Sequence, residues 1–342
     1  MSTRRQDATP AESPDSGEEE PARRDASTAD SFFVVDPTDA VFEVNSVGSQ
    51  VFCPGKAVMQ PKKCEELGVM VDPFYADKYS CFDLGPVPGV PPQKYGGLTL
   101  TLDRCSTRLL IGGEANFPAG KLYGVDVARD DHGHVAGFSG MASVFADAPS
   151  NDGGVAYGPK DVLFLTHWPT NELQMTRPGS ARADKVIPLQ GLGIAFASAS
   201  LNFVPTTFPA AGAFKLVSWS GGQFYTVAIA PDAQGTFDVM SVKQELTLTG
   251  GPEGFVYVAA GSPHFDKNSM LVSEWSANKI STYEVDDKAN PIPTSRRDFI
   301  TGLTGAEGAY RDPATGDFFF STWGQQADRV IVVRGFVPII IQ

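Results

Sequence analysis

The feature that most constrains what this chain can become is a repeated hairpin in which a tryptophan closes the first strand. It is clearest in Met270–Val285, MLVSEWSANKISTYEV: an apolar strand, Trp275, a short polar turn and a second strand of alternating pattern. The same grammar recurs in Val162–Met175, Phe214–Ile229 and Phe318–Val333, so the four tryptophans of the chain, Trp168, Trp219, Trp275 and Trp323, hold one place in the unit. Two looser copies without the indole, Phe32–Val44 and Leu109–Val127, raise the number of hairpins to six. One such hairpin cannot cover both faces of its own small sheet, but copies set around an axis can. The pattern therefore predicts an all-β chain folded as a six-bladed β-propeller; a sandwich or two separate β domains are the other arrangements it allows. A large ring at one place in successive units predicts that the indoles fill the wedges between neighbouring sheets.

Short opening strands precede the hairpins, each beginning with a small residue or Glu and containing Gly: 96–100, 153–157, 192–196, 253–257 and 307–311. Closing strands come after several of them, at 185–189, 236–242 and 298–301. The first unit has no opening strand of its own. Phe336–Ile341 is expected to supply it, closing the ring and removing free sheet edges.

Composition agrees and narrows the partners. With 35 Gly and 26 Pro in 342 residues, the chain suits short strands joined by turns. A net charge of −13 argues against nucleic acid and against an anionic membrane surface. No apolar run is long enough to span a bilayer. The four cysteines, Cys53, Cys64, Cys81 and Cys105, cluster near the N-terminus, which suggests two disulfides and an extracytoplasmic site of action, whether periplasmic, cell-surface or secreted. Of three connectivities, proximity favours Cys53–Cys64 with Cys81–Cys105; free thiols are the alternative, and zinc is disfavoured because no C-x-x-C pair is present. Residues 1–30 carry almost no large apolar side chain and read as a disordered acidic linker, of the kind that tethers a domain to a membrane anchor. The propeller is then 31–342, with 46–92 as an irregular Cys- and Pro-rich insertion stapled to its outside.

The phrase GAEGAYRDPATGDF, Gly305–Phe318, is similar to the blade openings of six-bladed propellers of the NHL and SMP-30/gluconolactonase-like groups, and the resemblance extends more loosely over Gly96–Phe336. It implies a divalent metal held at the channel mouth by a Glu of such an opening, with Asn and Asp from other blades. Glu253 or Glu307 would correspond to that Glu; the Pro-Asn-Gly opening that brings the family's Asn is missing from every blade, so only the Glu positions carry over. Read from the residues themselves, Glu253 and Glu307 occupy equivalent places in consecutive units. They should point to the same end of the channel, where two carboxylates either bind Ca²⁺ or another divalent metal or force one pKa upward. The structural alternative is that each accepts backbone N–H groups or pairs with a cation such as Arg311.

His167, Ser218, Glu274 and Thr322 each precede the Trp of their unit and form a second ring, on which His167 and Glu274 offer a binding rim. The change of residue type from unit to unit reads as a solvated position. The tract Asp130–His134 reads as a hairpin turn rather than a metal site. No nucleophile elbow, H-E-x-x-H, P-loop or dinucleotide fingerprint is present, and no catalytic residue can be named. The chain is accordingly read as an exported propeller that binds a protein or small-molecule ligand through its channel mouth or blade loops. The resemblance implies the alternative, a metal-dependent hydrolase or lactonase.

Overall fold

The computed structural model describes residues 60–103, 107–324 and 328–338. Among them β1 (Lys62–Lys63), β2 (Met70–Val71) and β3 (Ser80–Gly85) lead into five consecutive groups of strands. Blade one is β4 (Leu98–Leu100), β5 (Arg108–Gly113), β6 (Lys121–Arg129) and β7 (Val135–Asp147). Blade two is β8 (Asn151–Tyr157), β9 (Leu163–His167), β10 (Glu172–Thr176) and β11 (Lys185–Pro188). Blade three is β12 (Ser198–Phe203), β13 (Phe214–Ser218), β14 (Gln223–Pro231) and β15 (Phe237–Thr247). Blade four is β16 (Pro252–Val258), β17 (Ser269–Glu274), β18 (Lys279–Glu284) and β19 (Arg297–Thr301). Blade five is β20 (Ala306–Arg311), β21 (Phe318–Thr322) and β22 (Val330–Arg334), completed by β3. All pairings are antiparallel, and each blade runs outward in chain order from its inner strand.

The propeller thus has five blades among the described residues, not six. The five hairpins that fall on described residues are the two middle strands of the five sheets, while the copy at Phe32–Val44 lies outside the described residues, as do 1–30. The strands between residue 60 and blade one do not build a further blade. Instead β3 pairs with β22 as the fourth strand of blade five, β1 extends that sheet, and β2 adds a fifth strand to blade four through β19. The ring is therefore fastened from the N-terminal side. The expected closing strand at Phe336–Ile341 is absent where it can be seen: 336–338 form no strand, and Phe336 packs against Phe318 and Tyr79, with ring centroids 4.1 and 4.4 Å apart.

The disulfide pairing also differs. Cys64 is joined to Cys81, with Cα atoms 5.3 Å apart, so neither pair favoured by proximity in sequence forms at these two positions. The cause is the β1–β3 register: Lys63 opposes Phe82, which sets the next pair of residues out, Cys64 and Cys81, face to face. Cys53 and Cys105 lie outside the described residues.

Five apolar clusters fill the five wedges. Strand alternation feeds two of them at once: Phe318 and Phe320 enter the wedge between blades four and five, while Phe319 enters the wedge between blades five and one. This explains why the middle strands read as continuous apolar runs; both of their faces are covered. The wedges are filled mainly by Leu, Ile, Val, Phe and Tyr; of the indoles Trp219 packs against the wedge between blades three and four, and the others are in none of the five clusters, which corrects the expectation in part.

At the axis the inner strands meet backbone to backbone. A Cβ on Gly153 would run into the carbonyl oxygen of Glu253, one on Gly254 into that of Glu307, and one on Gly308 would come 2.6 Å from Gly97 Cα. That is the physical reason for the glycine in each opening: no side chain fits between strands this close. The opening placed at 192–196 is the exception. Gln190–Leu192 is a 3-10 turn, and the inner strand of blade three is Ser198–Phe203, with Ser200 at the place of the glycine.

Candidate functional site

The inner strands all begin at the same end of the propeller, and four of them carry a bulge in their first residues, between Asn151 and Val155, Ser198 and Ser200, Pro252 and Gly254, and Ala306 and Ala309. A bulge re-aims the side chain it carries. In blades two, four and five that side chain is an acid: Asp152, Glu253 and Glu307. Each offers a carboxylate oxygen, and these lie within 4.8 Å of one another in a buried well at the head of the axis. Ala199 stands at the matching place in blade three. Gly96 stands near it in blade one, where a Cβ would come 2.8 Å from the Asp152 carbonyl oxygen.

Sequence reasoning names Glu253 and Glu307 and misses Asp152. The signal is present as an acid-Gly step, Asp152-Gly153, Glu253-Gly254 and Glu307-Gly308, but an opening that starts at Gly153 leaves out the acid just before it.

Burial dominates the electrostatics of the well. It pushes Asp152 up to about 8, opposed by the hydrogen bond it shares with Glu307. Burial also raises Glu253 well above the ordinary range, helped by the charge of Asp152. Glu307 is raised by burial and then by the charges of Glu253, Asp152 and Asp328. Asp152 receives a second partner when the Asn116 amide is oriented to satisfy its surroundings: its nitrogen is then 3.0 Å from Asp152 Oδ1 and 3.2 Å from the Asn151 carbonyl oxygen. Glu253 is different. It is 8% exposed, and its Oε2 has no hydrogen-bond partner among the described residues.

A fourth acid, Asp328, stands beside the well. Burial raises it to about 6, against hydrogen bonds from the backbone of Lys94, Gly324 and Tyr95 and from Thr322. With Thr304, Thr322 and Arg329 it lines a concavity of about 150 Å³ between blades four and five. A concavity of about 340 Å³, bordered by Thr207, Asn268 and Val337, lies at the opposite end of the blades and has no part in the well.

The indoles lie at the same end of the blades, where the inner strands begin. The backbone N–H of each Trp donates to a carbonyl just before its own inner strand: Trp168 to Ser150 (2.9 Å), and Trp219 to Ala197, Trp275 to Gly251 and Trp323 to Gly305 (each 2.8 Å). Blade one makes the same bond without the ring, from Ala115 to Lys94 (2.9 Å). The four indoles are half-buried, and three lap from blade to blade: Trp219 on Trp275 at 6.0 Å and Trp275 on Trp323 at 5.7 Å, edge to face, with Trp275 Nε1 donating to the Trp323 carbonyl at 3.0 Å. Phe196 packs near Trp168, at 6.4 Å. On the blade-one side Lys94 Nζ sits 3.6 Å over the ring of Phe117 and 5.5 Å from that of Trp323.

The ring of residues before each Trp is not a solvated rim. His167, Ser218, Glu274 and Thr322 are all buried. Glu274 is held by Arg296 through Nε (2.8 Å) and Nη2 (2.5 Å) and accepts from Tyr283 Oη at 2.7 Å, so it locks blade four and stands apart from the well. His167 lies beside Glu172, 3.5 Å away, with its pKa lowered by burial. The tract 130–134 is a turn: Asp130 accepts from the backbone of His132 and His134, and His134 Nδ1 lies 2.8 Å from Asp317 of blade five.

No known protein family and no curated protein matches the chain. Among solved structures it is similar to the glutaminyl cyclase of Myxococcus xanthus at 11% identity and a TM-score of 0.43, over 75% of this chain and 97% of that one. It is also similar to the soluble aldose sugar dehydrogenase of Escherichia coli at 10% and 0.39, over 73% and 85%. An auxiliary nutrient binding protein of Bacteroides thetaiotaomicron matches at 11% and 0.42, over 78% and 68%. The likeness is architectural and reaches no further.

Proposed function

We propose that this propeller is an exported ligand-binding module that holds a divalent cation at the head of its axis through Asp152, Glu253 and Glu307. The observation that carries this reading is the convergence of three buried carboxylates from three blades, one of which has an oxygen with no partner among the described residues. Three such groups cannot all ionise in a low-dielectric site without a cation to compensate them. An all-oxygen, all-carboxylate donor set suits Ca²⁺, Mg²⁺ or Mn²⁺ rather than a thiophilic metal. Three protein ligands leave coordination positions free for water or for a ligand entering at the channel mouth. The buried Cys64–Cys81 disulfide supports an oxidising compartment. The hydrolase alternative would use the same ion; binding is preferred because the Pro-Asn-Gly opening that brings an Asn ligand in the propeller groups the chain resembles is missing from every blade.

Thermal unfolding in EDTA and in excess Ca²⁺, Mg²⁺ or Mn²⁺ tests the site. At a thousandfold excess over Kd a specific ion should add about 4 kcal/mol to the folded state, a rise of about 10 °C for a domain of this size. In Glu253→Gln that rise should fall by more than half. A wild-type protein that melts at the same temperature in EDTA and in all three ions would overturn the proposal.

A further inference from the structure

We infer that Lys215 and Asn290 are the two halves of a covalent tie between blades three and four: an isopeptide bond that the folded chain forms within itself, releasing ammonia. The side chains concerned have no part in the axial well.

Lys215 is out of place in its surroundings. It lies on β13, on the same face as Val217, which belongs to the apolar wedge between blades three and four, and it is 1% exposed. A lysine is almost never buried to this degree unless it is paired. Here its Nζ donates to two neutral oxygens, Asn290 Oδ1 at 2.8 Å and Thr226 Oγ1 at 2.7 Å. Burial pushes the ammonium down to about 8, against the attraction of Glu245 and Asp286 and with the repulsion of Lys243 and Lys288. An amine desolvated in this way is a nucleophile near neutral pH.

Its target is equally prepared. Asn290, 4% exposed, lies in the turn between β18 and β19, 75 residues further along the chain. Its carboxamide is held at both ends, Oδ1 by Lys215 and Nδ2 by Asp286 Oδ2 at 3.3 Å. Asp286 is itself fixed, its Oδ1 accepting the backbone N–H groups of Lys288 and Asn290. The carboxamide carbon is one bond from Oδ1, so a small rotation about the Cβ–Cγ bond presents it to the amine. The next residue, Pro291, has no backbone N–H, which closes the route by which an asparagine loses ammonia to its own main chain.

Both halves of the step have a path for the proton. Thr226 Oγ1 accepts from Lys215 Nζ and donates to Glu245 Oε1 at 2.9 Å. Although burial opposes it, hydrogen bonds from Lys243 and Thr226 keep Glu245 below the usual range, so it is a carboxylate ready to take a proton. The Lys215 ammonium gives up one proton along this path. The Nζ lone pair then forms a bond to Asn290 Cγ and the Cγ–Nδ2 bond breaks. A second proton of the amine passes by way of Asp286 to Nδ2, which departs as ammonia. No electron is gained or lost and no co-reactant is needed; a buried ammonium becomes an amide N–H.

The test is the intact mass of the full chain, purified folded, held at pH 8 and then reduced and denatured. Expected is a mass short of the sequence value by one ammonia, with proteolysis yielding one branched peptide that joins Lys215 to Asn290. Lys215→Arg, and separately Asn290→Ala, should carry the full mass, and both should run behind the wild type in a denaturing gel, since the linked chain keeps a closed loop. Followed from the start of refolding, Glu245→Gln should lose ammonia at least tenfold more slowly than the wild type near pH 7 and approach it near pH 9, a dependence that a merely structural glutamate would not confer. The inference is overturned if the folded wild type keeps the full mass of its sequence, if ammonia is still lost in Lys215→Arg, or if the branched peptide joins other residues.

Discussion

Asp152, Glu253 and Glu307 set the chemistry of this molecule at the scale of single residues, because burial denies them the charge they would carry in water. In the unfolded chain such carboxyls ionise near pH 4. In the folded protein Asp152 is pushed to about 8 and the two glutamates well above their ordinary range, all chiefly by burial. Between those limits the folded state binds more protons than the unfolded one. Stability without metal must therefore fall as pH rises from about 4 to 8, and the difference vanishes below 4, where both states are protonated. Asp184 and Asp232, held low first by hydrogen bonds from Arg177 and Lys185, are ionised in both states over all but the acid edge of this window, and His167, lowered by burial, opposes the slope as one group against three. In EDTA the urea midpoint is expected to be higher at pH 5 than at pH 8. Ca²⁺ should reduce that difference, since the ion replaces the protons. An EDTA midpoint that is flat or rising over this range would show that the three acids do not retain their protons.

At the scale of the strand, the inner elements are governed by closeness. Gly153 and Gly254 let one backbone rest on the next, and the bulge beside each aims the acid at the axis. Gly153→Ala should cost about 3 kcal/mol, the upper part of the range for overpacking, because the obstructing atom is a main-chain carbonyl oxygen that cannot rotate away. Urea unfolding would check it; a loss below about 0.5 kcal/mol would mean that the strands have room to part. Middle strands were legible in the sequence because burial on both faces writes a continuous apolar run, as in Phe318–Phe320. The inner strand of blade three was not, since Ile194 reads as a strand residue but drops from a loop into the wedge between blades two and three. Ser198–Phe203, which does form the strand, carries polar residues whose burial only the neighbouring blades explain.

At the scale of the whole molecule, the ring is held shut by chain segments far apart in sequence. Arg129 of blade one meets Asp312 of blade five at 2.7 Å, both buried, and Ser321 Oγ donates to the Gly96 carbonyl at 2.6 Å. The Cys64–Cys81 bridge spans 17 residues and ties β3 of blade five to the turn that leads into β2 of blade four. Cys64→Ser with Cys81→Ser should destabilise the protein by about 3 kcal/mol, lowering the urea midpoint and slightly steepening the slope as the unfolded chain loses its cross-link. A midpoint within error of wild type would show that strand pairing alone fastens the ring. What the sequence by itself determined was local: the five hairpins among the described residues, their turns, the Trp at one place in four of them and two of the three acids, because period-two alternation and turn chemistry are properties of neighbouring residues. Blade number, the direction of closure, the disulfide partner and the recruitment of Asp152 were decided only when the blades packed. Each depends on which strand meets which across a long stretch of chain, and no local pattern records that.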